Sequence, residues 1–281
     1  MQVAVLGASG FIGRRLCAAL KTRGDEVLEI SLRDPGAAAV QSRDADAIVN
    51  LAGEPIAQRW NDSVKARIRS SRVDLPRSFI AELASVQARP RAYVSASAVG
   101  YYGTSENETF IESSPPGNDF LARVCVQWED VAQSASTLGA RVAIVRTGVV
   151  LAADGGALQK ILPPFRAGAG GRVASGKQWY SWIHVDDAVA IYLHALQHSD
   201  GVLNAVAPNP VRNADFTKEL ATAVHRPAVL PAPMFAIKAL LGEGAYVVTE
   251  GQRVLPERTL SQGYRFQYPF LGPALVQILR T

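Results

Sequence analysis

The chain is 281 residues long, 48% hydrophobic and 19% charged, with a net charge of +4. These values describe a globular protein with a sizeable core, in one large α/β unit or two smaller domains; the positive balance suits a phosphate-bearing ligand and is too small to indicate nucleic acid. No stretch nears the ~20 apolar residues of a membrane span, and Cys17 and Cys125 form no disulfide framework, so a cytoplasmic protein without a membrane partner is expected.

Apolar runs alternate with amphipathic helical patterns along the first half of the chain. QVAVL reads as a buried strand, followed by a glycine-rich turn and a helical pattern over 11–23. EVLEIS is a second strand. Only fourteen residues separate it from the next, DAIVN, so that crossover is cut very short or replaced by an extended segment. Helical patterns over 62–88 and 119–138 precede the strands RAYVS and RVAIV, respectively. Short buried strands alternating with helices specify an α/β fold, a Rossmann-type doubly wound parallel sheet covered on both faces. After Val150 the chain turns richer in glycine and proline, interrupted by SWIHVDDAVAIYLHAL, which reads as strand then helix. The expected division is a Rossmann domain of 1–151 plus about 179–204, and a small, discontinuous C-terminal substrate lobe of about 152–178 plus 205–281.

VAVLGASGFIGRRL is strand, turn and helix, with Gly7, Gly10 and Gly13 in the spacing G-x-x-G-x-x-G. The first glycine permits the tight turn, the second admits a pyrophosphate to the backbone, and the third lets helix pack on strand. This points to a dinucleotide. About twenty residues on, an acidic residue at the strand tip would select NAD. The chain offers Ser31 and Arg33, a hydroxyl and a guanidinium suited to a 2′-phosphate, with Glu29 as a mid-strand competitor. NADP(H) is the expected cofactor; the competing reading of Arg33 is a solvated loop residue.

Together these segments resemble the short-chain dehydrogenase/reductase superfamily in its extended, sugar-nucleotide-epimerase-like form. NLAG (Asn50 to Gly53) is similar to the family's turn after the fourth strand, VSASAVGYYG to its fifth strand and active-site serine segment, and RTGVVL and SWIHVDDAV to later segments. NLAGEPIAQRW, KARIRSSR, FLARVCVQWE, GKQWYSWIHVDD and EGQRVLP narrow the resemblance to an atypical branch, the nucleoside-diphosphate-sugar epimerase-like or cell-division-inhibitor-like proteins. The resemblance implies a cofactor cradle of Gly7, Ser9, Gly10, Phe11, Ile12, Gly13, Leu51, Ala52, Gly53, Ser95 and Val149. Arg72 joins it near the phosphates and Arg67 is a weaker candidate, whereas Lys65 and Arg69 fit an ordinary solvated face equally well.

Catalytic members of the superfamily carry a tyrosine and, four residues on, a lysine on one helix face. Counting back from Glu129 puts Leu121 and Cys125 in those places, and neither can do the chemistry. The helix FLARVCVQWE is therefore expected to be core and cofactor wall, with Cys125 an inert thiol. Ser97 matches the active-site serine, and Tyr101 is the freer of the two phenols that follow. Tyr102 is either pocket or structural. Trp182 joins Trp179 and Tyr180 as a pocket wall or lobe packing, and His184 is either an acid or a hydrogen-bonded structural histidine. His194 and His198 lack a third ligand, so no metal is expected. The resulting function is an NADP(H)-binding oxidoreductase-like protein acting on an unassigned small molecule, as a monomer or homodimer. The alternatives are a non-catalytic NADP(H)-dependent sensor or binding protein and a sugar-nucleotide epimerase.

Overall fold

Strand β1 (Gln2–Leu6) is buried from Val3 onward on both faces, as a strand covered by helices on either side must be. In the computed structural model, which describes residues 1–280, it leads into α1 (Phe11–Thr22), β2 (Glu26–Ile30), α2 (Pro35–Ser42) and β3 (Ala47–Asn50). Helices α3 (Asp62–Arg72) and α4 (Asp74–Ser85) precede β4 (Ala92–Ala98), and the short β5 (Thr109–Phe110) and α5 (Phe120–Gln133) precede β6 (Arg141–Thr147). Next come β7 (Val149–Ala152), α6 (Gly156–Arg166), β8 (Trp179–Tyr180), β9 (Trp182–His184), α7 (Val185–His198) and β10 (Gly201–Ala205). The chain closes with β11 (Val211–Arg212), α8 (Asn213–Ala223), α9 (Met234–Leu241), α10 (Tyr246–Thr249), β12 (Arg253–Val254), α11 (Glu257–Ser261) and α12 (Leu271–Arg280).

Six strands make one parallel sheet in the order β10-β6-β4-β3-β1-β2. Leu16 and Leu20 of α1 and Ile191 and Leu196 of α7 cover one face, packing on Val3, Val5, Val49 and Val94. Ala38 of α2, Phe79 and Leu83 of α4 and Val131 of α5 cover the other, over Ala4, Leu6, Ile48 and Tyr93. This is the doubly wound sheet that the alternating pattern specified. The direction of winding reverses between β1 and β3, so a crevice opens beyond Leu6 and Asn50, where open α/β sheets hold ligands.

The helical pattern over 62–88 is two helices rather than one. In a continuous helix the ring of Pro76 would press on the carbonyl of Arg72, and the chain breaks at Val73 (φ −113°, ψ −59°). The short crossover after β2 is closed by α2, eight residues long, with Pro35 in its first turn and the Asp34 carboxylate accepting from Ala37 N–H at 3.0 Å. NLAG accordingly follows the third strand of this chain and not a fourth. A separate core lies off the sheet, where Leu158 and Phe165 of α6, Phe216 and Leu220 of α8 and Leu275 of α12 gather with Trp182. Among the described residues, no helix is long and apolar enough to cross a membrane, and no three His, Cys, Asp or Glu side chains group to hold a metal ion.

Phe79 is fully buried between α4 and the sheet, so Phe79→Ala is expected to lower stability by ~3–5 kcal/mol in urea unfolding.

Candidate cofactor and substrate site

The turn between β1 and α1 is shaped by close approach. Gly7 adopts φ +79°, and a Cβ there would sit 2.9 Å from the backbone nitrogen of Ala52. Its carbonyl accepts from Gly10 N–H at 3.0 Å, and a Cβ on Gly13 would collide with that same oxygen. The first turn of α1 carries no acidic side chain, so its unpaired N–H groups and positive dipole end remain available to an anion. Phe11 packs by its ring against Gly155 and Gly156, and Ile12 on the sheet core. These two hold the helix in place, with their side chains away from the crevice.

A cavity of about 730 Å³ fills the crevice. Gly7, Ser9, Gly10, Ser31 and Arg33 line one side, and Leu51, Ala52 and Gly53 the other, with Arg67 and Ser70 at the rim. Arg33 is exposed, and among the described residues its guanidinium makes no hydrogen bond or ion pair. Its backbone N–H meets Ser31 Oγ at 3.4 Å. The competing Glu29 is engaged by Lys21 Nζ at 2.7 Å. The strand tip thus presents a free cation beside a neutralised acid, and the glycine cradle, bare helix terminus and free guanidinium together fit a dinucleotide carrying a 2′-phosphate.

A second, more enclosed cavity of about 180 Å³ lies beyond it. Leu121, Val124 and Cys125 of α5 form one wall, Val99 and Gly100 after β4 another, and Gly148 and Val149 after β6 a third. Trp179 and Tyr180 close it together with Tyr246, Val247 and Gln252 from the C-terminal segment. Arg72 lines this cavity and also abuts Gly53 of the first, where a Cβ would lie 3.1 Å from its Cζ. It donates to Glu54 O at 2.9 Å and Ile68 O at 3.3 Å and lies over the Trp128 ring at 5.2 Å. Among the described residues no carboxylate pairs with it within 4.0 Å. Burial of the guanidinium draws its pKa below the ordinary arginine value, so the junction of the two cavities holds a desolvated cation in want of an anion.

The residues expected to do chemistry lie elsewhere. Ser97 Oγ donates to Glu129 Oε1 at 2.6 Å, and Arg146 grips both oxygens of Glu129 at 2.8 Å. Arg146 also donates to Tyr102 Oη at 2.9 Å, Tyr102 Oη donates to Asn204 Oδ1 at 2.8 Å, and the Arg146 guanidinium lies 3.3 Å from the Tyr101 ring centre. Ser97 and Tyr102 are thereby committed to a buried network, Tyr101 is half-buried with its ring face on Arg146, and none of the three lines either cavity. The reason is electrostatic: a buried arginine needs its donors satisfied, and Glu129, Tyr102 Oη and Glu112 O supply the acceptors and Tyr101 the ring face, while Ser97 donates to the same Glu129 carboxylate. Ser95 is likewise buried, its hydroxyl donating to Ala96 O at 3.0 Å.

Trp182 and His184 are also away from the cavities. Trp182 belongs to the off-sheet core, with Nε1 donating to Asn209 O at 3.1 Å. His184 caps α7: Nδ1 accepts from Asp186 N–H at 3.1 Å, Nε2 donates to Gln277 Oε1 at 2.8 Å, and the ring stacks on Tyr268. The aromatic run instead sends Trp179 and Tyr180 to the cavity. Sequence reasoning missed Tyr246 and Gln252; EGQRVLP, which holds Gln252, was visible as a matched run with no chemical role attached. Cys125 is on the cavity wall, where burial first and the Glu129 charge second push its thiol up to about 12.

The sequence profile of the NAD dependent epimerase/dehydratase family matches residues 3–206, and that of a domain of unknown function, DUF1731, matches residues 232–278. An Arabidopsis thaliana protein, epimerase family protein SDR39U1 homolog, chloroplastic, is 45% identical over 304 residues, covering 100% of this chain and 87% of its own. The crystal structure of human epimerase family protein SDR39U1 (isoform 2) with NADPH superposes with a TM-score of 0.93 at 37% identity, over 100% of this chain and 99% of that one. A Thermus thermophilus UDP-glucose 4-epimerase complex with NAD shares the fold alone, at TM-score 0.80 and 18% identity over 100% of this chain and 98% of that one.

Three outcomes follow from this geometry. Glu129→Ala leaves the Arg146 charge buried and unpaired and is expected to cost ~3–5 kcal/mol in urea unfolding. Cys125 should resist iodoacetamide at pH 8 in the folded protein and react once unfolded. Burial lifts the folded thiol from the ordinary value of 9.0 up to about 12. Above pH 9 the unfolded chain therefore binds fewer protons, and this group makes stability fall as pH rises through that window. Cys125→Ala should flatten the fall, as read from unfolding curves at pH 8 and pH 10.

Proposed function

The chain belongs to the NAD dependent epimerase/dehydratase family, and within it we propose that this protein binds NADP(H) and acts as an oxidoreductase on a small molecule held in the second cavity. One observation carries the reading: the free Arg33 guanidinium beside Ser31 at the rim of a glycine-lined crevice whose far end is closed off by Arg72. The human relative solved with NADPH supports the same cofactor.

NADP(H), when bound, supplies hydride chemistry. The chain's part is to place and insulate it. Gly7, Gly10 and the first turn of α1 offer backbone N–H groups to a pyrophosphate. Arg33 and Ser31 supply a charge-assisted bond and a hydroxyl to a 2′-phosphate. Arg72 provides the counter-charge where the two cavities meet, and Leu121, Val124 and Val149 exclude water around the reacting end. Neither Leu121 nor Cys125 moves a proton: one has none to give and the other keeps its thiol protonated far above neutrality.

That apolar wall favours one competing reading, a non-catalytic binding protein in which NADP(H) orders the C-terminal segment for a partner. NADPH absorbance followed with a panel of small carbonyl and enone compounds separates the two, and turnover of any member supports the oxidoreductase. For the cofactor, NADPH should bind more tightly than NADH by at least ~1 kcal/mol, the scale of one charge-assisted contact. Arg33→Ala should erase most of that preference in fluorescence titrations. Equal affinities in the parent protein sink the assignment.

A further inference from the structure

The second cavity has carboxylates at one end and a cation at the other. Asp119 caps α5, accepting from Ala122 N–H at 2.9 Å, and its other oxygen faces Gly103, where a Cβ would lie 3.3 Å away. Glu250 stands at the same end, accepting from Thr104 Oγ1 at 2.8 Å. Six residues along α5, about 9 Å at the helical rise, the wall reaches Cys125, and there Arg72 lies close enough for its charge to act on the thiol. The place where α5 lacks a lysine is therefore faced by a cation from another element, the end of α3.

The guanidinium opens into this cavity. Arg72 is half-buried and lines the second cavity, and its hydrogen bonds all run from Nη1, to Glu54 O, Ile68 O and Ser71 Oγ. Among the described residues Nε and Nη2 make none, and neither is shut off from solvent. Other side-chain donors on the wall are taken. Gln252 Nε2 donates to Val99 O at 2.7 Å, Trp179 Nε1 to Glu106 O at 2.9 Å and Ser181 Oγ to Gln252 O at 2.7 Å, while Thr147 Oγ1 meets Tyr192 Oη at 3.1 Å. The Tyr246 hydroxyl is shut off from solvent, and Tyr180 turns its ring onto Phe216 of the off-sheet core.

A free cation without a free proton donor suits a reaction that gathers charge on oxygen and can wait for its proton. Hydride added to a simple carbonyl carbon leaves a strongly basic alkoxide, which needs an acid beside it. Hydride added to the β-carbon of an α,β-unsaturated carbonyl leaves an enolate, whose charge is shared between oxygen and carbon. Fixed donors aimed at that oxygen act most strongly where water is excluded. At about 180 Å³ the cavity is smaller than the ~300–1,000 Å³ of drug-sized ligand sites, so the compound is small.

We propose that Arg72 is the oxyanion-stabilising catalytic residue of this site, and that the substrate is a small α,β-unsaturated carbonyl compound reduced at its C=C bond. The proposal rests on the NADP(H)-dependent oxidoreductase reading. The β-carbon gains hydride from the reduced dinucleotide, which is oxidised. The C=C π pair moves between the α-carbon and the carbonyl carbon, and the C=O π pair moves onto oxygen, held by the free N–H groups of Arg72. On release the α-carbon takes a proton from water and the C=O bond forms again.

The test uses the full-length protein, NADPH and 2-cyclohexen-1-one. The product should be cyclohexanone; 2-cyclohexen-1-ol would require a proton donor and overturns the proposal. Arg72→Gln should lower kcat by ~100-fold or more while NADPH affinity holds within about fivefold. A larger loss of affinity assigns Arg72 to the dinucleotide and overturns the proposal, as does retained turnover or a loss found only in Tyr180→Phe. A parent protein that reduces saturated carbonyls and no enone keeps the oxidoreductase reading and overturns this one. A parent that reduces nothing removes the oxidoreductase reading, and 4-nitrophenol then decides Arg72 without turnover, its phenolate standing in for the enolate oxygen. Bound to the NADP⁺-loaded parent, it should ionise about 1–3 pH units lower than in buffer, and in Arg72→Gln it should not. No lowering in the parent, or one that survives in the variant, overturns the proposal.

Discussion

The buried pair of Glu129 and Arg146 is the constraint on which the site depends. Arg146 sits mid-sheet on β6 and would be intolerable there unpaired, since several kcal/mol of desolvation fall on an isolated buried charge. Its two bonds to Glu129 lock α5 to the sheet, and the remaining donors draw in Tyr102, while Ser97 completes the carboxylate. Asn204 extends the network to β10, and the buried Glu112, accepting from Asn204 N–H and Thr259, extends it towards α11. Leu121 and Cys125 stand eight and four residues before Glu129, on the same stripe of α5. Fixing Glu129 therefore aims both of them at the cavity.

A second constraint divides the ligand space. Pro76 cannot continue the helix that Arg72 ends, so α3 stops at Arg72 and the chain restarts at a new angle. Arg72 is left at a helix C-terminus with its guanidinium folded back onto Glu54 O and Ile68 O, a position that also suits the negative end of the helix dipole. From there it touches the floor of the first cavity at Gly53 and the wall of the second. One proline thus places a cation where a dinucleotide's charged middle would meet its reacting end.

The C-terminal segment completes the second cavity at low cost in packing. Helix α9 buries none of its residues, and the chain is held near α3 by backbone bonds, one ion pair and the small apolar cluster in which Tyr246 and Val247 pack on Trp60, Val64 and Ile68. The cavity wall thus contains a phenol, Tyr246, from the C-terminal stretch that the sequence pattern assigns to the substrate lobe without a role.

Much of the architecture was legible in local pattern because local physics decides it. Buried strands alternating with amphipathic helices leave a doubly wound sheet as the economical solution, and the glycine turn follows from the positive φ at Gly7 and the crowding of Gly10 and Gly13 by Gly7 O, with Ala52 across the crevice a distant contact. The tip at Ser31 and Arg33 was readable for the same reason, since its position follows from strand length. The chemical residues were not. Ser97 and Tyr101 matched a family segment, but the Ser97 hydroxyl is taken by Glu129 and the Tyr101 ring by Arg146, partners that lie far along the chain. His184 and Trp182 were claimed by a helix cap and a second core for the same kind of reason. Tyr246 reached the cavity only because residues more than 180 positions apart, Trp60 and Leu241, are hydrogen-bonded in the fold. Spacing along a chain carries the geometry of helices and strands, whereas the partner that satisfies a buried charge is chosen by tertiary packing.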